Sequence, residues 1–291
     1  MEALLQARSQ TMKKYWLKAL PKLVGTALNV MGLLAPKKTV ELSMKVFAKP
    51  RKGRVLSHQR KFLQKAKAET LEVNSQQFHI HIFGNSGYPV LLAHGWESNS
   101  WRWRKLMRHL GNEHFQFIAI DAPGHGMTPS EYFNVHGYAE AIAAAAKKYQ
   151  CQTIVGHSIG GFACLFAAAH FDDGGIQKVI SLAAPSSLRL IMEKYFSIIS
   201  LSGHMQNTTF ALFPKLYGLS IDDLDIQTFG HKIGAAGLVV HDLHDNINGP
   251  ESAYLIHQCW PSSELIITQE SDHSLQHENV FDAVKKFFTK E

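Results

Sequence analysis

Ser158 stands in Gly156-His157-Ser158-Ile159-Gly160, a G-x-S-x-G with β-branched residues before it and an Ala-rich stretch after it. This pattern places a serine on a sharp turn between a strand and a helix, with its hydroxyl held out as a nucleophile. The residues two positions either side must be small, because the backbone passes close to neighbouring chain there. The competing reading is a plain glycine turn. A hydroxyl is a weak nucleophile at neutral pH; it needs a base to take its proton and an acid to orient that base. His273, in "QESDHSLQHENVF", falls just past the last strand and is the favoured base. His277 is its rival, about one helical turn later and placed to open the closing helix. Asp245, in "GLVVHDLHDNI", is the favoured acid, a few residues past its strand where the loop can turn back. Asp242 lies nearer the strand and suits a turn or loop cap. The chemistry such a trio performs is acyl transfer.

Residues 158, 245 and 273 meet only if several strands end at one side of a sheet. "PVLLAHG", "FQFIAIDAPGHG", "TIVGHS", "VISLAAP", "GLVVHD" and "ELIITQE" read as strands, with helical "HGYAEAIAAAAKKYQ" and "IGGFACLFAAAHF" between them. Two short strands, "TLEVN" and "FHIHIFG", come first. The alternation predicts an α/β fold: a mostly parallel twisted sheet with helices on both faces. Residues 186–230 interrupt the rhythm with an amphipathic helix, "LRLIMEKYFSIISLS", and a stretch rich in Phe, Tyr and Leu. They are expected to form a small helical cap, a lid or pocket wall, in preference to a satellite core. The expected organisation is a basic helical extension over 1–69, a core of 70–185 and 231–291, and a cap over 186–230.

Formal net charge is +6, and 16 of the 30 Lys and Arg fall within residues 1–67 beside only two Glu. The basic character therefore belongs to the N-terminal segment. Two roles are open for it: packing on the core or forming a dimer contact, which is preferred, or docking on an anionic membrane. Nucleic acid is not an expected partner, since no recognised binding motif accompanies the charge. "MEALLQARSQ" does not read as a secretory leader, and "LVGTALNVMGLLAP" is too short to span a bilayer. Cys151, Cys164 and Cys259 have no C-x-x-C spacing and are read as reduced, which suggests a cytoplasmic setting. No cofactor and no metal is expected. His79 and His81, or His241 and His244, lie near one another but make no metal-binding signature, and "DAPGHG" lacks the spacing of a phosphate-binding loop.

Over roughly residues 70–291 the chain resembles the α/β-hydrolase superfamily, in its serine-nucleophile, esterase- and lipase-like branch. "LLAHGW" is similar to the family's His-Gly oxyanion turn, "DAPGHG" to its Asp-x-Pro-Gly-His-Gly turn, and "GHSIGG" to its nucleophile elbow. "HDLHD" resembles the acid loop, which supports Asp245, and "SDHS" resembles the terminal Gly-His segment. The chain departs from the pattern where Asp242 and Asp272 replace glycines. The resemblance implies a Ser158–Asp245–His273 triad and an oxyanion hole made by the backbone N–H groups of Trp96 and Ile159. It implies hydrolysis of carboxylic esters of small or lipid-like molecules through an acyl-enzyme. A C–C hydrolase or lyase on the same triad, and a non-catalytic ligand-binding member of the fold, are the alternatives. A serine in the elbow excludes the branches that use an aspartate nucleophile.

Overall fold

The computed structural model describes residues 19–111 and 113–290. Eight strands form one sheet: β1 (Lys67–Val73), β2 (Gln76–Phe83), β3 (Tyr88–Ala93), β4 (Phe115–Ile120), β5 (Thr153–His157), β6 (Lys178–Leu182), β7 (Ala236–Asp242) and β8 (Ser263–Thr268). Their order is β1-β2-β4-β3-β5-β6-β7-β8. β2 pairs antiparallel with β1 and with β4, and every other pairing is parallel. The mostly parallel α/β sheet expected from the sequence is the one found.

The central strands are continuous apolar runs because both sheet faces are covered. Val90 and Leu92 of β3 enter a cluster with Trp103, Leu106, Val280, Phe281 and Val284, from the helices Arg104–Leu110 and Glu278–Phe288 and the turn before the first of them. Leu91 and Ala93 point to the opposite face, as the two-residue period of a strand requires, and are equally buried. Helices Val135–Lys148 and Ile159–His170 pack against each other and against strands β3 and β5. Asn134 caps the first of these, accepting from the backbone N–H groups of His136 and Gly137.

The chain divides into two compact units. The sheet unit comprises Ala48–Ser187 and Leu224 onward; the other joins the described residues up to Phe47 with Leu188–Asp223. The sheet unit thus opens earlier than residue 70. Leu63 belongs to its core cluster, with Val55, Phe62 and Ala66 packed against it. These contacts join residues far apart in sequence, which a basic local composition conceals.

In the second unit, residues 19–34 and Pro36–Ala48 are helical, as are Leu188–Ile199 and Gly203–Tyr217. The first helix buries Gly25, Leu28 and Gly32, which share one face at helical spacing. Asn29 pins the chain at Ser200–Ser202, donating to the Ser200 carbonyl at 3.0 Å and accepting from the Ser202 N–H at 2.8 Å. The other leucines of this helix lie elsewhere: Leu33 and Leu34 are 77% and 89% exposed, and Leu20 and Leu23 are exposed too. Among the described residues no helix is long and apolar enough to cross a membrane.

Candidate active site

β5 ends at His157 and a helix begins at Ile159, so Ser158 carries the whole reversal. Its backbone takes φ 54° and ψ −128°, a region that disfavours a side chain and marks stored strain. Two glycines make the turn possible. A Cβ on Gly160 would meet the carbonyl oxygens of His94 and Ala93, and one on Gly156 would come within 2.6 Å of the Gly161 Cα. The sharp turn is held by the Ser158 N–H donating to the Leu182 carbonyl at 2.8 Å.

The loops after β7 and β8 bring Asp245 and His273 to this serine. His273 Nε2 lies 3.1 Å from Ser158 Oγ, and its Nδ1 lies 2.7 Å from Asp245 Oδ2. The carboxylate requires a proton on Nδ1, which leaves Nε2 free to accept from the serine. Asp245 is buried; its Oδ1 accepts from the N–H groups of Ile247 at 2.8 Å and Asn248 at 2.9 Å. His241 Nε2 stands 3.1 Å from Oδ2. Burial alone would raise the Asp245 pKa. The hydrogen bonds from His241, His273 and the Asn248 N–H outweigh it and hold the carboxyl below its ordinary range.

The rival residues are placed differently. Asp242 ties β7 to the loop after β8: its Oδ2 accepts from Thr268 Oγ1 at 2.6 Å and the Ser271 N–H at 2.8 Å, and its Oδ1 from the His244 N–H at 2.9 Å. His277 stands at the cap of the helix Glu278–Phe288. Asp272 adopts φ 47° in place of a glycine and accepts from the Ser274 N–H at 2.6 Å, which stabilises the left-handed turn before His273–Ser274.

On the opposite side of the serine, His94 sets the turn that carries Trp96. Its Nε2 accepts from the Ala122 N–H at 2.9 Å, so Nδ1 carries the proton and donates to the Gly95 carbonyl at 2.8 Å. Burial lowers the His94 pKa, keeping this neutral form. With its carbonyl tied back, the Gly95–Trp96 peptide directs the Trp96 N–H the other way. Gly95 comes so near the elbow that a Cβ there would lie 2.8 Å from Ser158 Cβ. Ile159 N–H opens the helix Ile159–His170, where helix-end N–H groups favour negative charge. Trp96 is 39% exposed, and its ring meets His125 and Phe133 edge-on.

Two participants escaped the motif reading. Arg102 Nη1 donates to His157 Nδ1 at 2.7 Å, which puts the imidazole proton on Nε2, and that group donates to the His273 carbonyl at 2.8 Å. Arg102 Nη2 reaches the Ser274 carbonyl at 2.9 Å. The backbone at His273 and Ser274 is therefore braced from the elbow itself. His157 fills a variable position of G-x-S-x-G, so the motif carried no signal for it. His79 and His81, considered above as metal ligands, lie in β2 with rings 4.5 Å apart, and His81 Nε2 is 3.2 Å from Asp121 Oδ2.

Residues 88–231 match a family model described as the alpha/beta hydrolase fold. A serine hydrolase-like protein of Danio rerio is 34% identical over 97 residues, 31% of this chain and 29% of that protein, so the match spans less than a third of the relative's length. A pimeloyl-[acyl-carrier protein] methyl ester esterase of Hamiltonella defensa is 24% identical over 65% of this chain and 87% of its own. An esterase from Exiguobacterium antarcticum shares the fold at a TM-score of 0.58 and 16% identity, over 77% of this chain and all of that one. The chain belongs to the α/β-hydrolase superfamily.

Proposed function

We propose that the chain is a serine hydrolase that cleaves carboxylic esters of small or lipid-like molecules through an acyl-enzyme on Ser158. The observation that carries this is the single imidazole lying 3.1 Å from the serine hydroxyl and 2.7 Å from a buried carboxylate. His273 Nε2 takes the Ser158 proton as Oγ attacks the ester carbonyl. Asp245 keeps the imidazole in the required tautomer and stabilises the imidazolium. The carbonyl oxygen becomes an oxyanion facing the N–H groups of Ile159 and Trp96. The intermediate collapses, the C–O bond to the alcohol breaks, and His273 returns the proton to the leaving oxygen. Water, deprotonated by the same imidazole, then attacks the acyl-enzyme and releases the acid.

The esterase and serine hydrolase-like relatives support this reading, as does the Ser158 backbone conformation. Cys151 and Cys164 are buried and unpaired, which favours a reducing, cytosol-like compartment. Hydrolysis of p-nitrophenyl esters of increasing acyl length, by wild type and Ser158→Ala side by side, tests the proposal. Activity lost in the variant supports it, and the best chain length sizes the acyl pocket. No activity above the variant on any ester refutes the ester assignment.

A further inference from the structure

A pocket of about 820 Å³ opens in the sheet unit beside the loops that carry Trp96 and His273. Its walls hold six cations: Arg51, Lys52, Arg54, Arg102, Arg104 and Lys105. Glu97 is the one carboxylate among its lining residues, and its Oε1 already accepts from the Arg51 backbone N–H at 3.0 Å. None of the six cations forms an ion pair among the described residues, whereas Lys49, Lys147 and Lys290 each find a carboxylate.

The partners these cations do have leave the charge uncompensated. Arg54 donates to the Thr128 and Ser130 carbonyls, at 2.7 and 3.1 Å. Arg104 lies over the Trp101 ring, 3.2 Å from its centroid. Arg102 spends its two terminal nitrogens on His157 and Ser274, while its Nε is buried with no partner. Burial, and then the neighbouring Arg104 charge, push the Arg102 pKa down to about 9. Like charges gathered around one cavity repel each other, and a multivalent anion entering it relieves that repulsion. Guanidinium forks match the oxygens of phosphate in pairs, and lysines add point charge.

We infer that this basic pocket is a binding site for a phosphate- or diphosphate-bearing compound. Ser274 follows the base directly, and Arg102 ties the pocket wall to the nucleophile elbow. The phosphate belongs either to the substrate being cleaved, a source that rests on the ester reading above, or to a free phosphate compound.

The test is calorimetric titration of pyrophosphate into the full chain at fixed ionic strength, using wild type, Ser158→Ala, and an Arg51→Gln/Lys52→Gln/Lys105→Gln variant. All three replaced side chains are exposed, and matching urea midpoints verify that the variant is folded. Saturable binding that weakens at least tenfold in the triple variant is expected. Ser158→Ala should bind like wild type, so loss of the ester reading leaves this result standing. No saturable binding, or equal binding by wild type and triple variant, overturns the site. The source follows from comparing kcat/KM for 4-acetoxyphenyl phosphate with that for phenyl acetate. A preference for the phosphorylated ester that falls tenfold in the triple variant assigns the phosphate to the substrate. Pyrophosphate binding with no such change assigns the site to a free phosphate compound.

Discussion

Acidification from pH 7 to pH 4 should destabilise the sheet unit through histidines that it buries in neutral form, and His125 allows the effect to be isolated. His125 is fully buried, its Nδ1 lies 2.8 Å from the Pro123 carbonyl, and its Nε2 accepts from the Glu97 N–H at 3.0 Å. Burial, and then the nearby His94 ring, lower its pKa from 6.5 to about 4. The unfolded chain therefore binds a proton at pH values where the folded chain does not. Stability is fully present above the unfolded pKa and falls as pH drops from 6.5 towards 4. One such group contributes a loss of about 2 kcal/mol between pH 7 and pH 5 and about 3 kcal/mol by pH 4. Urea unfolding of wild type and His125→Gln at pH 7, 6, 5 and 4 measures it. The glutamine loses packing at every pH but does not titrate, so the gap between the two proteins should narrow by about 2 kcal/mol from pH 7 to pH 5. Parallel stability curves would show that His125 is not held neutral, and the argument from its burial would fail.

Asp245→Asn should lower kcat on p-nitrophenyl acetate by about 10³ to 10⁴, because the amide cannot hold the imidazole in the required tautomer. Asp242→Asn should instead cost stability, about 1–3 kcal/mol in urea, from the disturbed Thr268 and Ser271 bonds, with kcat/KM changed less than tenfold; a larger loss of activity than in Asp245→Asn would reverse the two assignments. Gly160→Ala drives a methyl into the His94 and Ala93 carbonyls, and should destabilise by at least about 3 kcal/mol or leave the chain insoluble; a urea midpoint within error of wild type would contradict the close approach described at the elbow. The exposed Leu20, Leu23, Leu33 and Leu34 lie near Lys22, Lys37 and Lys38, so vesicles rich in anionic lipid should sediment the full chain and Leu33→Ser/Leu34→Ser should sediment less. Equal recovery with and without vesicles would refute membrane docking by this helix.

The elbow was legible because a serine in that conformation needs specific small residues at fixed offsets, and Gly156 and Gly160 leave few alternatives. The parallel sheet was legible because strands buried on both faces lose their alternation. Asp245 and His273 were legible from their distance past the ends of strands. His157 and Arg102 were not, since the brace they form depends on where two loops cross, and the spacing of 55 residues between them carries no regularity. The basic pocket was hidden for a related reason. Arg51 and Lys52 sit in the charge-rich N-terminal third and Arg102 to Lys105 in an ordinary-looking stretch; only folding brings them to one cavity. In the first helix Leu28 packs within its unit beside Gly25 and Gly32 while Leu20, Leu23, Leu33 and Leu34 remain outside, a division that the run of apolar residues in the sequence does not show.

His273 and Ser158 lie 115 residues apart in the chain, while Asp245 and His273 are separated by 28. The strands that deliver them, β5 through β8, pair in succession across the sheet. A chain emerging from the ribosome therefore carries its serine long before it has His273, and loop closure on that scale makes the last strand pairings slow. Under the proposed acyl-enzyme mechanism, a partly folded molecule that lacks the last strand has no base at Ser158, whatever secondary structure it holds. Reaction with a fluorophosphonate would on that mechanism count completed sheets, and serve as a clock for the final step of folding.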